Sequence, residues 1–244
     1  MTGLPSTGRT AVVAGSTSDI GRAVCLGLAA GGAQLALLGR DARSLELLAK
    51  QAQGLTDRVA VHHLDLEDEG SVAAVAEWLG REMGRVDILV HSAGTFEMAP
   101  HADAALADLD RLYRTNVRGP YALTQALLPL LRASHGQVVF MNSTVGLEAR
   151  AGVGQYAATH HALRAIADAL RAEVNADGVR VLTVYLGRTA TARQARIFRL
   201  EGRAYLPELL MQPADVAEMV LAALRLPRTA EVTEIRMRPL VKSY

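Results

Sequence analysis

One cysteine, one tryptophan, three phenylalanines and two lysines are the scarcest features of this 244-residue sequence. The lone Cys25 excludes an internal disulfide. No apolar run reaches the ~20 residues that cross a bilayer. The opening "MTGLPSTGRTAVVAGS" lacks the charged start and long apolar stretch of a signal peptide. A cytoplasmic protein with no membrane partner is expected. A formal net charge of +1 gives no single-sign excess with which to attract nucleic acid or an anionic surface. The only lysines are Lys50 and Lys242, every other basic residue being arginine. Compositional bias explains this better than function does, yet it leaves ammonium groups in short supply.

Half of the residues are hydrophobic and 21% are charged, ample material for a core. Short apolar runs alternate with helical periodicity. "TAVVAG", "AQLALLG", "RVAVHH", "VDILVHSAG", "GQVVFMNS", "VRVLTVYLG" and "TEIRMR" read as strands. The early ones are nearly continuous apolar runs, as strands covered on both faces should be. Between them, 20–32, 42–52, 70–83, 105–134 and 154–171 carry apolar residues at three- and four-residue spacing. This alternation implies one α/β domain, a doubly wound parallel sheet of about seven strands with helices on both faces. Only 187–212 interrupts it, ahead of a helix that Pro213 opens. An excursion at a strand's carboxyl end is either a lid over a ligand or a solvated surface helix. It is rich in arginine, with Arg188, Arg193, Arg196, Arg199 and Arg203. They would either steer an anionic substrate inward or line a solvated face.

"VVAGSTSDIGRA" follows the first strand and opens the first helix. Gly15 and Gly21 there suit a phosphate cradle, where free N–H groups and the helix dipole favour an anion. A tight strand–helix turn with no ligand would use the same glycines. Arg40 ends the second strand, where an arginine can pair the 2′-phosphate of NADP; Asp41 beside it would repel that phosphate. Asp65 either accepts from an adenine amine or caps the following helix. In 154–171, Tyr156 and His160 lie four apart on one helix face, their Cβ atoms about 6 Å apart. The pair is either an acid–base centre or an ordinary packing face.

These residues in this order resemble the short-chain dehydrogenase/reductase family over essentially the whole chain. The family's Thr-Gly-x-x-x-Gly-x-Gly corresponds to Ala14, Gly15 through Asp19, and Gly21, and its Asn-Asn-Ala-Gly to His91, Ser92, Ala93 and Gly94. Its helix asparagine matches Asn116, its catalytic serine Ser143 and its tyrosine Tyr156. Leu186 and Gly187 take the place of its Pro-Gly turn, followed by Thr189 and Thr191. Two residues depart from the pattern: Asp19 puts a carboxylate where the family has glycine, and His160 stands in place of the lysine of Tyr-x-x-x-Lys.

The resemblance implies a Rossmann-like fold, NADP(H) as cofactor, a small-molecule substrate and no metal. It implies a homodimer or homotetramer packed through the fourth and fifth helical segments and the last strand. Cofactor contacts are expected from Gly15, Ser16, Thr17, Asp19, Ile20, Gly21, Arg40, Asp65, Leu66, Ser92, Ala93, Gly94, Tyr156, His160, Gly187 and Thr189. The catalytic set is then Asn116, Ser143, Tyr156 and His160. Serine holds the substrate oxygen, tyrosine exchanges its proton, asparagine holds a water in the proton path, and lysine binds the ribose and lowers the tyrosine pKa. A free phenol titrates near ~10, and histidine, with an ordinary value of ~6.5, is mostly uncharged at pH 7. No substitute ammonium is evident. Asp19 either caps its helix, pointing away from the pyrophosphate, or points inward and weakens anion binding. Three activities fit: carbonyl/alcohol oxidoreduction, a non-redox elimination, isomerisation or cyclisation on Ser143, Tyr156 and His160, or nucleotide binding without catalysis.

Arg40 yields a first prediction. NADPH should bind more tightly than NADH, and Arg40→Ala should erase most of the difference, about 10- to 100-fold for a charge-assisted hydrogen bond. Titration of both cofactors checks it; equal affinities in the unmodified protein would remove the assignment.

Overall fold

The computed structural model describes residues 6–241. Lys242 and the first five residues of the opening stretch lie outside them. Seven strands form one parallel sheet: β1 (Thr10–Ala14), β2 (Gln34–Gly39), β3 (Val59–His63), β4 (Ile88–His91), β5 (Gln137–Ser143), β6 (Arg180–Leu186) and β7 (Glu234–Met237). Their spatial order is β3-β2-β1-β4-β5-β6-β7. Each strand thus lies inside one of the apolar runs. β1 and β4 are wholly buried, as continuous runs of valine, leucine and isoleucine require. β3 differs because it is the outermost strand: it has a neighbour on one side only, and Val61 is exposed.

The helices are α1 (Asp19–Ala30), α2 (Ala42–Ala52), α3 (Glu69–Glu82), α4 (Leu106–Tyr113), α5 (Gly119–Ser134), α6 (Gly154–Val174), α7 (Ala192–Leu200) and α8 (Pro213–Leu224). Short polar side chains start several of them. Ser18 accepts from Gly21 N, Asp41 from Ser44 N and Asp68 from Gly70 N, each cap contributing about 1 kcal/mol. One face of the sheet packs on Val24, Cys25 and Leu28 of α1, Leu45 and Leu48 of α2, and Val216 and Val220 of α8. The other packs on Val75 and Leu79 of α3, Leu123 and Leu127 of α5, and Leu163 and Ala167 of α6.

The stretch 105–134, read as one helix, is a continuous helical run over 106–134 that contains a wide turn of π-type hydrogen bonding, Arg114–Arg118, between α4 and α5. Periodicity could not reveal this: one extra residue per turn leaves the apolar spacing on either side intact. Such a turn commonly marks a functional position, and here it buries Asn116.

The strand order reverses between β1 and β4, which opens a crevice at their carboxyl ends, where ligands enter such sheets. Gly15 is needed there on two counts. Its φ is +79°, and a Cβ would come within 2.4 Å of Ala93 N at the end of β4. Gly15→Ala should therefore destabilise the protein by roughly 2 kcal/mol or more. Gly80 offers the contrast, lying in α3 with nothing within 4 Å of the place a Cβ would take. Gly80→Ala should stabilise by about 0.5–1 kcal/mol. Urea unfolding of the three proteins measures both shifts, and equal midpoints would refute the account.

Candidate active site

The carboxyl ends of β1, β4, β5 and β6 surround a cleft of about 860 Å³. Thr17, Ser18, Asp19 and Ile20 enter it from the first strand–helix turn, and Ser92, Ala93 and Gly94 from the end of β4. Asn116 comes from the wide turn, Ser143 from the end of β5, and Tyr156 and His160 from α6. Gly187, Thr189, Thr191 and Arg193 close it from the segment after β6. The four expected catalytic side chains therefore converge from three elements far apart in sequence.

Tyr156 and His160 do share one helix face, with ring centroids 4.4 Å apart and edge-on. Phe96 meets the tyrosine ring from another side, at 4.9 Å. Burial among these rings pushes the phenol above its ordinary value, against the charge of Arg193 and hydrogen bonds from Ser143 and Arg193. His161, the next residue along, is exposed and off this face.

Asn142, which the sequence did not single out, organises the centre. Its Oδ1 accepts from Ser143 N at 2.7 Å and faces His160 Nδ1 at 2.8 Å. Its Nδ2 donates to His160 O at 3.1 Å. Because the carboxamide oxygen can only accept, Nδ1 carries the ring proton and Nε2 is left as the acceptor. Burial lowers the His160 pKa to about 3, with the charges of Arg193 and His161 adding to the effect. His160 is therefore a neutral imidazole, and the cation that the family lysine would supply is not on this helix.

Other expected contacts are rearranged. Asp19 is not the helix cap: Ser18 holds that position, and Asp19, which lines the cleft, accepts at Oδ2 from Ala192 N at 2.9 Å, at the start of α7. Ser16 does not present its side chain to the cleft. It is fully buried, donating to Val13 O and accepting from Leu38 N. Ser18 takes its place as the hydroxyl in the cradle, 3.1 Å from Ser92 Oγ. Serine two residues before an Ile-Gly helix start was the available signal. Asn116 has its carboxamide engaged, accepting from Thr95 N and donating to Thr95 O and Thr159 Oγ1. Arg40 is exposed at the end of β2, on the same edge of the sheet. Asp41 turns its carboxylate to Ser44, whose hydrogen bonds lower its pKa. Asp65 accepts from Glu67 N rather than capping α3, which Asp68 does. Leu66 is a packing residue against Gly119.

The segment 187–212 is stitched at its base, Thr189 pairing with Met211. Most of its arginines have partners: Arg188 and Arg203 on Glu201, Arg196 on Glu97, and Arg193 on Gly94 O at 2.5 Å. Arg188 and Arg203 also lie over the Phe198 ring. Their charge serves to fasten the segment more than to attract an anion from solution.

Residues 9–201 match the family described as short chain dehydrogenase. The chain is 35% identical over 226 residues to dehydrogenase/reductase SDR family member 7B of Bos taurus, covering 87% of this chain and 69% of that protein. It is 32% identical to a glycine betaine reductase of Emericella nidulans, covering 96% of this chain but only 19% of that much longer protein. Among solved structures it resembles an alcohol dehydrogenase of the archaeon Thermococcus sibiricus complexed with 5-hydroxy-NADP. The TM-score is 0.87 at 27% identity, over 97% of this chain and 98% of that one.

The neutral His160 has a measurable consequence. His91, also buried, is likewise held at about 3. In the unfolded chain both take up protons near pH ~6.5, whereas in the folded protein they do not until about pH 3. Their contribution to stability is complete above pH 6.5 and is lost as pH falls towards 3. Ring ¹⁵N spectra should show one Nδ1–H tautomer of His160, unchanged from pH 7.5 to 5. A titration midpoint near 6.5 would contradict this assignment.

Proposed function

Since the chain belongs to the short-chain dehydrogenase family, a family of oxidoreductases, we propose that it interconverts a carbonyl and an alcohol with NADP(H), using Tyr156 as general acid/base. The observation that carries this reading is the convergence of Ser143 and Tyr156 on one cleft that begins at the Gly15–Gly21 turn. The turn suits a dinucleotide phosphate. A side chain at Gly21 would strike Gly15 O, so the turn closes only with glycine there. Asp19, the one misplaced carboxylate, is bonded to Ala192 N. Arg40 supports the 2′-phosphate, with Asp41 occupied by its helix cap. Similarity to an alcohol dehydrogenase complexed with a modified NADP adds support.

When bound, the nicotinamide supplies or accepts hydride at the substrate carbon. The protein's part is the proton. In reduction, Ser143 Oγ and Tyr156 Oη hydrogen-bond the carbonyl oxygen, and the phenol proton passes to it as the alcohol forms. In oxidation a phenolate takes the alcohol proton. Burial keeps Tyr156 protonated at neutral pH, a state suited to reduction. Asn116 lines the same cleft beside this proton path. His160 Nε2 offers an acceptor for a ribose hydroxyl in place of the lysine's donor. Residues 1–244 act in this reading as one nucleotide-binding and catalytic domain with 187–212 as its lid. Leu106, Tyr113 and Tyr121, exposed on α4 and α5, are the apolar surface a homodimer or homotetramer would bury.

The neutral His160 favours a second reading, a non-redox lyase, isomerase or cyclase on the same three side chains, or a nucleotide-binding homologue without activity. NADPH titration followed by a carbonyl panel, monitored at 340 nm, separates them. We expect binding with hydride transfer, a reductive rate that varies little from pH 6 to 8, and an oxidative rate that climbs towards alkaline pH. Turnover without cofactor would establish the non-redox reading, and binding without turnover the non-catalytic one.

A further inference from the structure

The lost lysine leaves a question of charge. A buried phenol held by uncharged neighbours resists ionisation, and Tyr156 has on its own helix only a neutral imidazole. The charged side chains lining its cleft are Asp19 of α1, Arg150 ahead of α6, Arg188, Arg193 and Glu201 of the 187–212 segment, and Arg238 after β7. Arg188 and Glu201 form a largely buried pair at 2.7 Å, and Asp19 is taken by Ala192 N. Arg193 is different. It stands one residue past the start of α7, which Thr191 caps by accepting from Gln194 N and Asp19 fastens to α1. From there its guanidinium crosses to the end of β4 and donates to Gly94 O. Both terminal nitrogens sit 4.0 Å from where a Cβ of residue 94 would be, so the guanidinium lies in van der Waals range of the Gly94 position.

We propose that Arg193, delivered by the segment after β6, is the cation that acts on the Tyr156 hydroxyl in the role the family gives to a lysine on the tyrosine's own helix. The inference rests on the reading of Tyr156 as acid/base. Arg193 lines the same cleft as Tyr156 and is held there on Gly94 O, and its charge and hydrogen-bonding capacity both act to favour the phenolate. The same charge disfavours protonation of His160, so the imidazole stays neutral beside the guanidinium. Arginine stays charged at every working pH, which histidine at position 160 does not. The cation therefore comes from a different element of the fold than the tyrosine. Its effect depends on α7 remaining docked through Asp19–Ala192 and Arg193–Gly94.

The test is the ionisation of Tyr156 itself, followed in the free protein by ¹³C NMR at the tyrosine Cζ, with Tyr156→Phe to assign the signal. An opposite charge within about 4–6 Å lowers an acid's midpoint by ~1–3 units. Because Arg193 is exposed, the lower end is expected: in Arg193→Gln the curve should move up by about one unit, and Arg193→Lys should restore part of the difference. The pH profile of alcohol oxidation should move with it, about 10-fold in rate at pH 8. Superimposable curves for wild type and Arg193→Gln, whether both titrate or both stay flat, would overturn the proposal. A shifted Cζ curve in a protein with no turnover on NADP(H) would uphold the Arg193 contact and reject oxidoreduction instead.

Discussion

The carboxamide of Asn142 is the joint on which the centre depends. It sits one residue before Ser143 at the end of β5 and bonds across to the fourth residue after Tyr156 on α6. Three polar groups meet on it: the Ser143 N–H, the His160 ring and the His160 carbonyl. A buried hydrogen bond left unmade costs about 1–3 kcal/mol, so strand and helix are held in one register. That register brings the serine hydroxyl and the phenol into the same cleft. Gly146 admits the contact, since a Cβ there would meet Asn142 Oδ1 at 2.6 Å and His160 O at 3.0 Å. The same joint fixes the imidazole proton on Nδ1. The histidine that replaces the lysine is thereby committed to structure on one edge and to hydrogen-bond acceptance on the other.

Replacing an ammonium by a neutral ring would leave a purely apolar box around Tyr156, with Phe96 and His160 edge-on to it. The site's electrostatics instead run through the segment between β6 and α8. Arg188, Glu201, Arg203 and Phe198 form a compact knot of ion pair and ring contact. This knot anchors a nine-residue helix that buries only Phe198, and that helix lines the cleft with Arg193. Asp19 belongs to the same system. A carboxylate close to the phosphate cradle would repel a dinucleotide, but its bond to Ala192 N makes it the fastening between cradle and segment. Two departures from the family pattern, one at the cradle and one at the chemistry, thus meet in one piece of chain.

The strand cores were legible because period and composition are local: a run such as "AVVA" is buried on both faces wherever the sheet places it. The helix start at Pro213 was legible for the same reason. The wide turn at Arg114–Arg118 was not, since it alters hydrogen bonding without disturbing apolar spacing. Ser16 and Ser18 look alike in sequence. Only the turn geometry sends one hydroxyl into the core between Val13 O and Leu38 N and the other to the cradle.

By itself the sequence determined the alternating architecture, the glycines of the cradle, the serine and tyrosine of the site and the absence of the lysine. Each is a matter of residue type at short spacing, where backbone sterics and side-chain chemistry act without reference to the rest of the chain. Tertiary structure decided where charge goes. Asp19 and Ala192, Arg193 and Gly94, and Asn142 and His160 are pairs separated by 173, 99 and 18 residues. Hydrogen bonds and charges act over a few ångströms of space, so a partner that far along the chain has no signature in its neighbours until folding brings the two together.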